Sequence, residues 1–227
     1  MASDQFAMYD KILCVGDSRT AGSYDNATTT LQEYERYCLC NMLAKMTNAN
    51  VVNAGVGGAT TITYWTNQPS KFIECENADA VFIWIGINDI YMNSEKFNGT
   101  VDDVNLDTYQ DYNNFPNTSC GALGKIIMKA KEQNPTATIY VCTLDQVVYI
   151  LDSVAKANKQ IKEVANALGC QIVDLYNDEL LQNATGRDIY WGVEGCHMTT
   201  LGYNRVASLF KRALNTSGKK YVGVTIK

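Results

Sequence analysis

A single histidine and three prolines are spread over 227 residues, and each scarcity excludes something. One histidine and no Cys-x-x-Cys pair leave a zinc site few ligands to draw on, so no metal is expected. No apolar run approaches the roughly 18 residues that a membrane-spanning helix requires. Cations are also outnumbered, with 19 Lys and Arg against 24 Asp and Glu, a formal charge of −5 and a pI near 4.9. The only basic pair that stands out is Lys219-Lys220, so neither nucleic acid nor a membrane is an expected partner. The acidic balance likewise disfavours strongly anionic substrates. Met1 to Tyr9 lacks the basic start and apolar run of a secretion signal. The expected compartment is the cytoplasm, or the outside of the cell where a leader has been removed.

Cysteine, in contrast, is plentiful. Of the eight, Cys14, Cys38, Cys40, Cys120, Cys142 and Cys170 fall inside stretches that read as strands or helices. Buried free thiols acting as small hydrophobes are the expectation, which fits a reducing compartment or an anaerobic source. The chain is 46% hydrophobic, enough for a sizeable core. Without a linker, repeat or low-complexity tract it reads as one domain over residues 1–227.

The organising stretch is Lys11-Ile12-Leu13-Cys14-Val15-Gly16-Asp17-Ser18, an apolar strand that stops at Gly-Asp-Ser. Residues 31–47 then carry Leu31, Tyr34, Cys38, Met42 and Met46 at three- and four-residue steps, the stripe of a helix on a sheet. Residues 50–54 and 80–87 are further strands; the second is continuously apolar, as parallel strands buried on both faces are. Residues 90–118 are polar and without period, which suggests a functional loop on the ligand side. Helix 120–133, strand 138–143, a helix capped by Ser153, strand 171–176 and a helix from Thr199 or Thr200 complete the alternation, and 221–226 reads as a terminal strand. Strands alternating with amphipathic helices specify a three-layer α/β/α sandwich around a parallel sheet.

Three strand ends carry chemistry: Ser18, Gly55 and Asn88. If their strands are parallel neighbours, all three emerge on one rim, where open α/β sheets bind ligands. Acyl transfer needs a nucleophile beside donors aimed at a developing oxyanion. Serine brings its own backbone N–H, glycine allows close approach, and asparagine donates from its NH₂. A serine hydroxyl also needs a base. The one histidine, His197, lies in a loop-like stretch before the last helix, with Glu194 three residues earlier to hold its Nδ1.

These residues resemble the SGNH, or GDSL, hydrolases over nearly the whole chain. Gly16-Asp17-Ser18-Arg19-Thr20 is similar to the family's first block, Gly55 to the glycine of its second, and Gly86-Ile87-Asn88-Asp89 to the Gly-x-Asn-Asp of its third. Glu194-x-x-His197 stands where the family has Asp-x-x-His, and Leu201-Gly202-Tyr203 resembles the helix start that follows. The resemblance implies a flavodoxin-like five-stranded parallel sheet, metal-free ester hydrolysis, Ser18 as nucleophile and His197 as base. It also implies Ser18, Gly55 and Asn88 as oxyanion donors. Glutamate in place of aspartate is one methylene longer; if Glu194 points away, a backbone carbonyl or Asp188 must orient His197.

Each motif alone has a plainer reading. Asp17 can tie its turn, Asn88-Asp89 can cap a segment, and Cys196 can be structural rather than a nucleophile paired with His197. Order, spacing and strand-end placement together favour an esterase. Asp17, Asp89, Tyr91 and Trp191 are the candidate substrate contacts. Aromatic side chains with Asn and Asp neighbours suit a glycan or other small ester carrying acetyl groups. The alternatives are a lipase or thioesterase of the same family, a catalytically weak glycan-binding module, and a nucleotide or flavin binder. For the last, Gly55-x-Gly57-Gly58 is a poor phosphate loop.

Overall fold

The computed structural model describes residues 9–22, 38–94, 96–146, 150–182, 190 and 196–216. Five short apolar segments form its centre: β1 (Lys11–Gly16), β2 (Asn50–Gly55), β3 (Ala80–Trp84), β4 (Thr138–Cys142) and β5 (Gln171–Val173). They pair in the order β2-β1-β3-β4-β5, and every pairing is parallel. The expected three-layer α/β/α sandwich with a flavodoxin-like sheet is what the chain forms.

Alternation along each strand divides the core in two. Leu13, Val15, Val81, Ile83, Ile139 and Val141 face one layer. Against them lie α3 (Thr61–Asn67), α4 (Ser70–Ile73), α7 (Ser119–Gln133) and α8 (Leu151–Ala167). Ile12, Cys14, Ala80, Phe82, Trp84, Tyr140 and Cys142 face the other. That side is covered by α2 (Leu39–Thr47) and α10 (Thr200–Thr216). Phe82 is the middle of an aromatic stack, 4.7 Å from the Tyr140 ring and 4.1 Å from the Phe210 ring, both nearly parallel. All eight cysteines are free thiols, seven of them buried, and burial raises the thiols of Cys142 and Cys170 above the ordinary range.

Several boundaries differ from expectation. β3 ends at Trp84, and Ile87 already opens α5 (Ile87–Met92). Helix α2 is described from Leu39, with Cys38 before it; residues 31–37 and the terminal strand at 221–226 lie outside the described residues. Ser153 does not cap α8: the helix starts at Leu151, and the preceding Ile150 is buried, so burial rather than a side-chain cap sets the start.

The polar stretch 90–118 is not a free ligand-side loop. It continues from α5 through a 3₁₀ turn (Val101–Val104), α6 (Leu106–Tyr109) and a second 3₁₀ turn (Tyr112–Asn114). Thr100, Asn105 and Asp111 cap successive turns. Phe97, Val104 and Phe115 anchor it in the core beside α7 and α8, and Gln160 donates to Gly99 O at 2.6 Å. Three widely spaced anchors have no period, which is why the pattern is invisible in the sequence. Helix α9 (Glu179–Gln182) completes the described elements. Among the described residues no helix is long and apolar enough to cross a membrane.

The Phe82 stack gives a stability prediction. Phe82→Ala should lower the free energy of unfolding by about 3–5 kcal/mol, read from urea unfolding of the two proteins; a loss under about 1 kcal/mol would mean that the two layers close around the missing ring.

Candidate active site

The site begins with register. Gly16 on β1 is level with Gly55 on β2 and with Trp84 on β3, so three chain ends leave the sheet at the same height. The order places β1 between β2 and β3. The chain therefore runs outward to one side after β1 and to the other after β2. The crevice between β1 and β3 is the point where such sheets bind ligands.

Ser18 opens α1 (Ser18–Ala21), a single turn held at both ends. The Asp17 carboxylate accepts the Arg19 N–H at 3.0 Å, and Gly22 closes the turn in the left-handed region, donating its N–H to Ser18 O. The Asn53 side chain donates to Ala21 O at 3.2 Å. A Cβ on Gly55 would stand 2.1 Å from Ala21 N, so glycine here is what lets α1 lie against β2.

From the far end of the chain, Thr199 accepts the N–H of Gly202 on its hydroxyl and donates its own N–H to Tyr190 O. This starts α10 and ties it to Tyr190. Met198 is buried in the α10 layer, and His197 is turned to the rim. Its Nε2 lies 2.9 Å from Ser18 Oγ, across 179 positions of sequence. A serine hydroxyl and an imidazole are thus in hydrogen-bond contact, the first geometric requirement of nucleophilic catalysis.

The residues expected as oxyanion donors differ in what they have left to give. Asn88, on α5, donates one amide hydrogen to Ala59 O at 3.0 Å, which fixes its head group against the loop after β2; an amide carries a second hydrogen. Gly55 has only one, and it goes to Asn53 Oδ1 at 3.0 Å. Gly55 is therefore engaged in packing and in its own hydrogen bond. Gly58, at φ +73 with open space where a Cβ would be, sits beside the Ala59 carbonyl that Asn88 grips. The glycine run 55-x-57-58 was visible in the sequence; that the Gly55 N–H is already engaged was not.

Two of the four expected substrate contacts are buried ties instead. Asp89 is 0% exposed and accepts from Thr61 N at 2.8 Å and Thr61 Oγ1 at 2.5 Å, holding the start of α3. Burial raises its carboxyl pKa against the opposing pull of these donors. Asp17 is 1% exposed and holds the turn that carries Ser18. Tyr91 is 43% exposed on α5, one turn beyond Asn88 and on the same stripe. Glu194, Asp188 and Trp191 lie outside the described residues.

Sequence reading missed Arg19 and Asp145. Both are buried, and Arg19 Nη1 forms an ion pair with Asp145 Oδ1, with the guanidinium 5.6 Å from the Trp84 ring. A charged residue directly after Ser18 was the available signal, but nothing in the sequence named its partner.

With this geometry in hand, the sequence profile of the GDSL-like lipase/acylhydrolase family matches residues 14–205. No curated protein sequence matches the chain. Among solved structures, a lipase/acylhydrolase from Enterococcus faecalis superposes with a TM-score of 0.61 at 19% identity, covering 94% of this chain and 100% of that one. A catalytic mutant of an acetylxylan esterase from Geobacillus stearothermophilus gives 0.64 at 16% identity, covering 92% and 96%. A hydrolase from the metagenome of Lake Arreo gives 0.64 at 17%, covering 95% and 99%. At such identities the likeness is one of fold.

Burial pushes the Asp17 carboxyl up to about 6, against the opposing charge of Arg19 and the bond from its N–H. An acid held above its unfolded value stabilises the fold while both states are protonated, and that contribution is lost as pH rises from about 4 through about 6. Asp17→Asn keeps the acceptor and removes the titration. The difference in unfolding free energy between variant and wild type should grow in the variant's favour by about 2–3 kcal/mol over that interval. Parallel curves from pH 4 to 7 would show that Asp17 is ionised throughout.

Proposed function

Because the chain belongs to the GDSL-like lipase/acylhydrolase family, we propose that it is a serine esterase that removes short acyl groups, acetyl above all, from carbohydrate. The observation that carries the reading is the 2.9 Å contact between His197 Nε2 and Ser18 Oγ on the rim where Asn88 also stands. Ser18 Oγ attacks the ester carbonyl while His197 Nε2 accepts its proton. The tetrahedral oxyanion is held by Ser18 N–H, by the second amide hydrogen of Asn88, and by a backbone N–H of the loop after β2. For that last donor Gly58 is better suited than Gly55, whose hydrogen is already given to Asn53. Collapse of the intermediate expels the alcohol, which takes the proton back from the imidazolium. A water then repeats the sequence on the acyl-enzyme, releasing the acid and restoring Ser18.

In this mechanism Nε2 must be unprotonated at the start, so the proton sits on Nδ1; Glu194 is the group we assign to hold it there. The exposed ring of Tyr91 beside Asn88 supports a sugar face, and a structure of the same fold is an acetylxylan esterase. A second reading, with longer acyl chains, is favoured by a different observation. Val56, Met92 and Leu201 are large apolar side chains left exposed on the three segments that border the rim, and another structure of the same fold is a lipase/acylhydrolase.

A panel of p-nitrophenyl esters of rising chain length, with acetylated xylan alongside, separates the two. The acetyl reading expects the highest kcat/KM on acetate and release of acetate from the polymer; a maximum at octanoate or beyond overturns it in favour of the second. Ser18→Ala and His197→Ala should each lower kcat by about 10⁶-fold. Ester turnover that survives Ser18→Ala would end the assignment of Ser18 as nucleophile. Asn88→Ala should lower kcat by about 10²–10³-fold with KM little changed, measured on the best ester of the panel.

A further inference from the structure

A buried ion pair needs a reason, because two charges removed from water gain no more from each other than well-packed apolar side chains of similar volume. Arg19 and Asp145 are both inaccessible, at 1% and 0% exposure, and the pair lies next to Ser18 in the chain. Its Asp145 end is rigidly mounted. Leu144 has both backbone groups bonded to the Asn158 side chain, at 2.7 and 2.8 Å. Thr143 is bonded to β5 through its N–H and to Asp174 and Tyr176 through its hydroxyl. The Arg19 end is mounted as well, on the turn that Asp17 and Gly22 close. Burial works against the charged guanidinium, but Asp145, then Asp17 and Cys196, outweigh it and raise its pKa. Cys196 is the residue before His197. One guanidinium therefore ties the turn that carries Ser18 to the chain leaving β4, with Cys196, the neighbour of His197, close enough to act on its charge.

We propose that the Arg19–Asp145 pair is the positioning element of the reaction centre, holding the turn of Ser18 and the segment of His197 at the separation that proton transfer requires. The inference rests on the reading of those two residues as nucleophile and base. It assigns Arg19 no contact with substrate; the pair acts through the residues it aligns. Misplacement by about 1 Å at such a centre costs on the order of 10²-fold in rate.

Removing one partner alone leaves an uncompensated buried charge and unfolds the protein for an unrelated reason, so the test removes both. In Arg19→Met/Asp145→Val the cavity stays filled. The expected protein is folded, with an unfolding midpoint close to wild type, KM for p-nitrophenyl acetate within about threefold and kcat lower by about 10²-fold. The chain has one histidine, so the imidazole nitrogen resonances of untagged, ¹⁵N-labelled protein report on His197 alone. They should move in the double variant to the positions seen in Ser18→Ala, where the bond to the hydroxyl is absent. Wild-type kcat, a double variant that does not fold, or a kcat loss with unmoved imidazole signals each overturns the proposal. If the wild-type chain neither hydrolyses p-nitrophenyl acetate nor is labelled at Ser18 by a fluorophosphonate, the esterase reading falls, while the imidazole comparison still decides whether the pair aligns the two residues.

Discussion

Levelled strand ends are the constraint from which the rest follows. Parallel pairing of β1 with β2 and β3 brings Gly16, Gly55 and Trp84 to one height, and the reversal of direction at β1 opens a crevice between β1 and β3. Everything chemically useful is hung from that rim: a one-turn helix with Ser18, a short helix with Asn88, and the segment that delivers His197. None of these elements is long enough to be stable alone. Each persists because the sheet fixes where it starts and a side chain fixes how it turns.

Those fixings are polar and mostly out of water. Asp17 caps the nucleophile turn, Asp89 holds the start of α3, Asn53 ties β2 to α1, and Asn158 clamps the chain as it leaves β4. An unpaired buried polar group is costly, so each of these side chains tolerates only one arrangement of its surroundings. The apolar layers determine that the sandwich forms; the buried polar ties determine where its rim points. A titrating carboxyl, that of Asp17, is accepted within this network because it completes the turn beneath Ser18.

The fold was largely legible because its signals are local. Continuous apolar strands and 3.6-residue stripes identified the five strands and the long helices α7, α8 and α10. The proximity of Ser18 to His197 was legible too, since each is a distinctive residue at a strand or loop end. Legibility failed where one local pattern had two meanings. Asp17 and Asp89 look like substrate carboxylates and are buried and hydrogen-bonded within the fold, and Gly55 looks like an oxyanion donor and gives its N–H to Asn53. The stretch from 90 to 118 looks like an open loop, yet Phe97, Val104 and Phe115 pin it to the core at spacings that no helix or strand pattern produces.

By itself, then, the sequence determined the secondary elements, their parallel arrangement and the residues able to act as nucleophile and base, because periodicity and residue chemistry are properties of neighbouring positions. The tertiary structure decided which carboxylates are buried, that the Gly55 hydrogen is given to Asn53, and that Arg19 meets Asp145 across 126 positions. Those outcomes depend on which distant groups share a volume from which water is excluded, and such proximity is set by packing rather than by order along the chain.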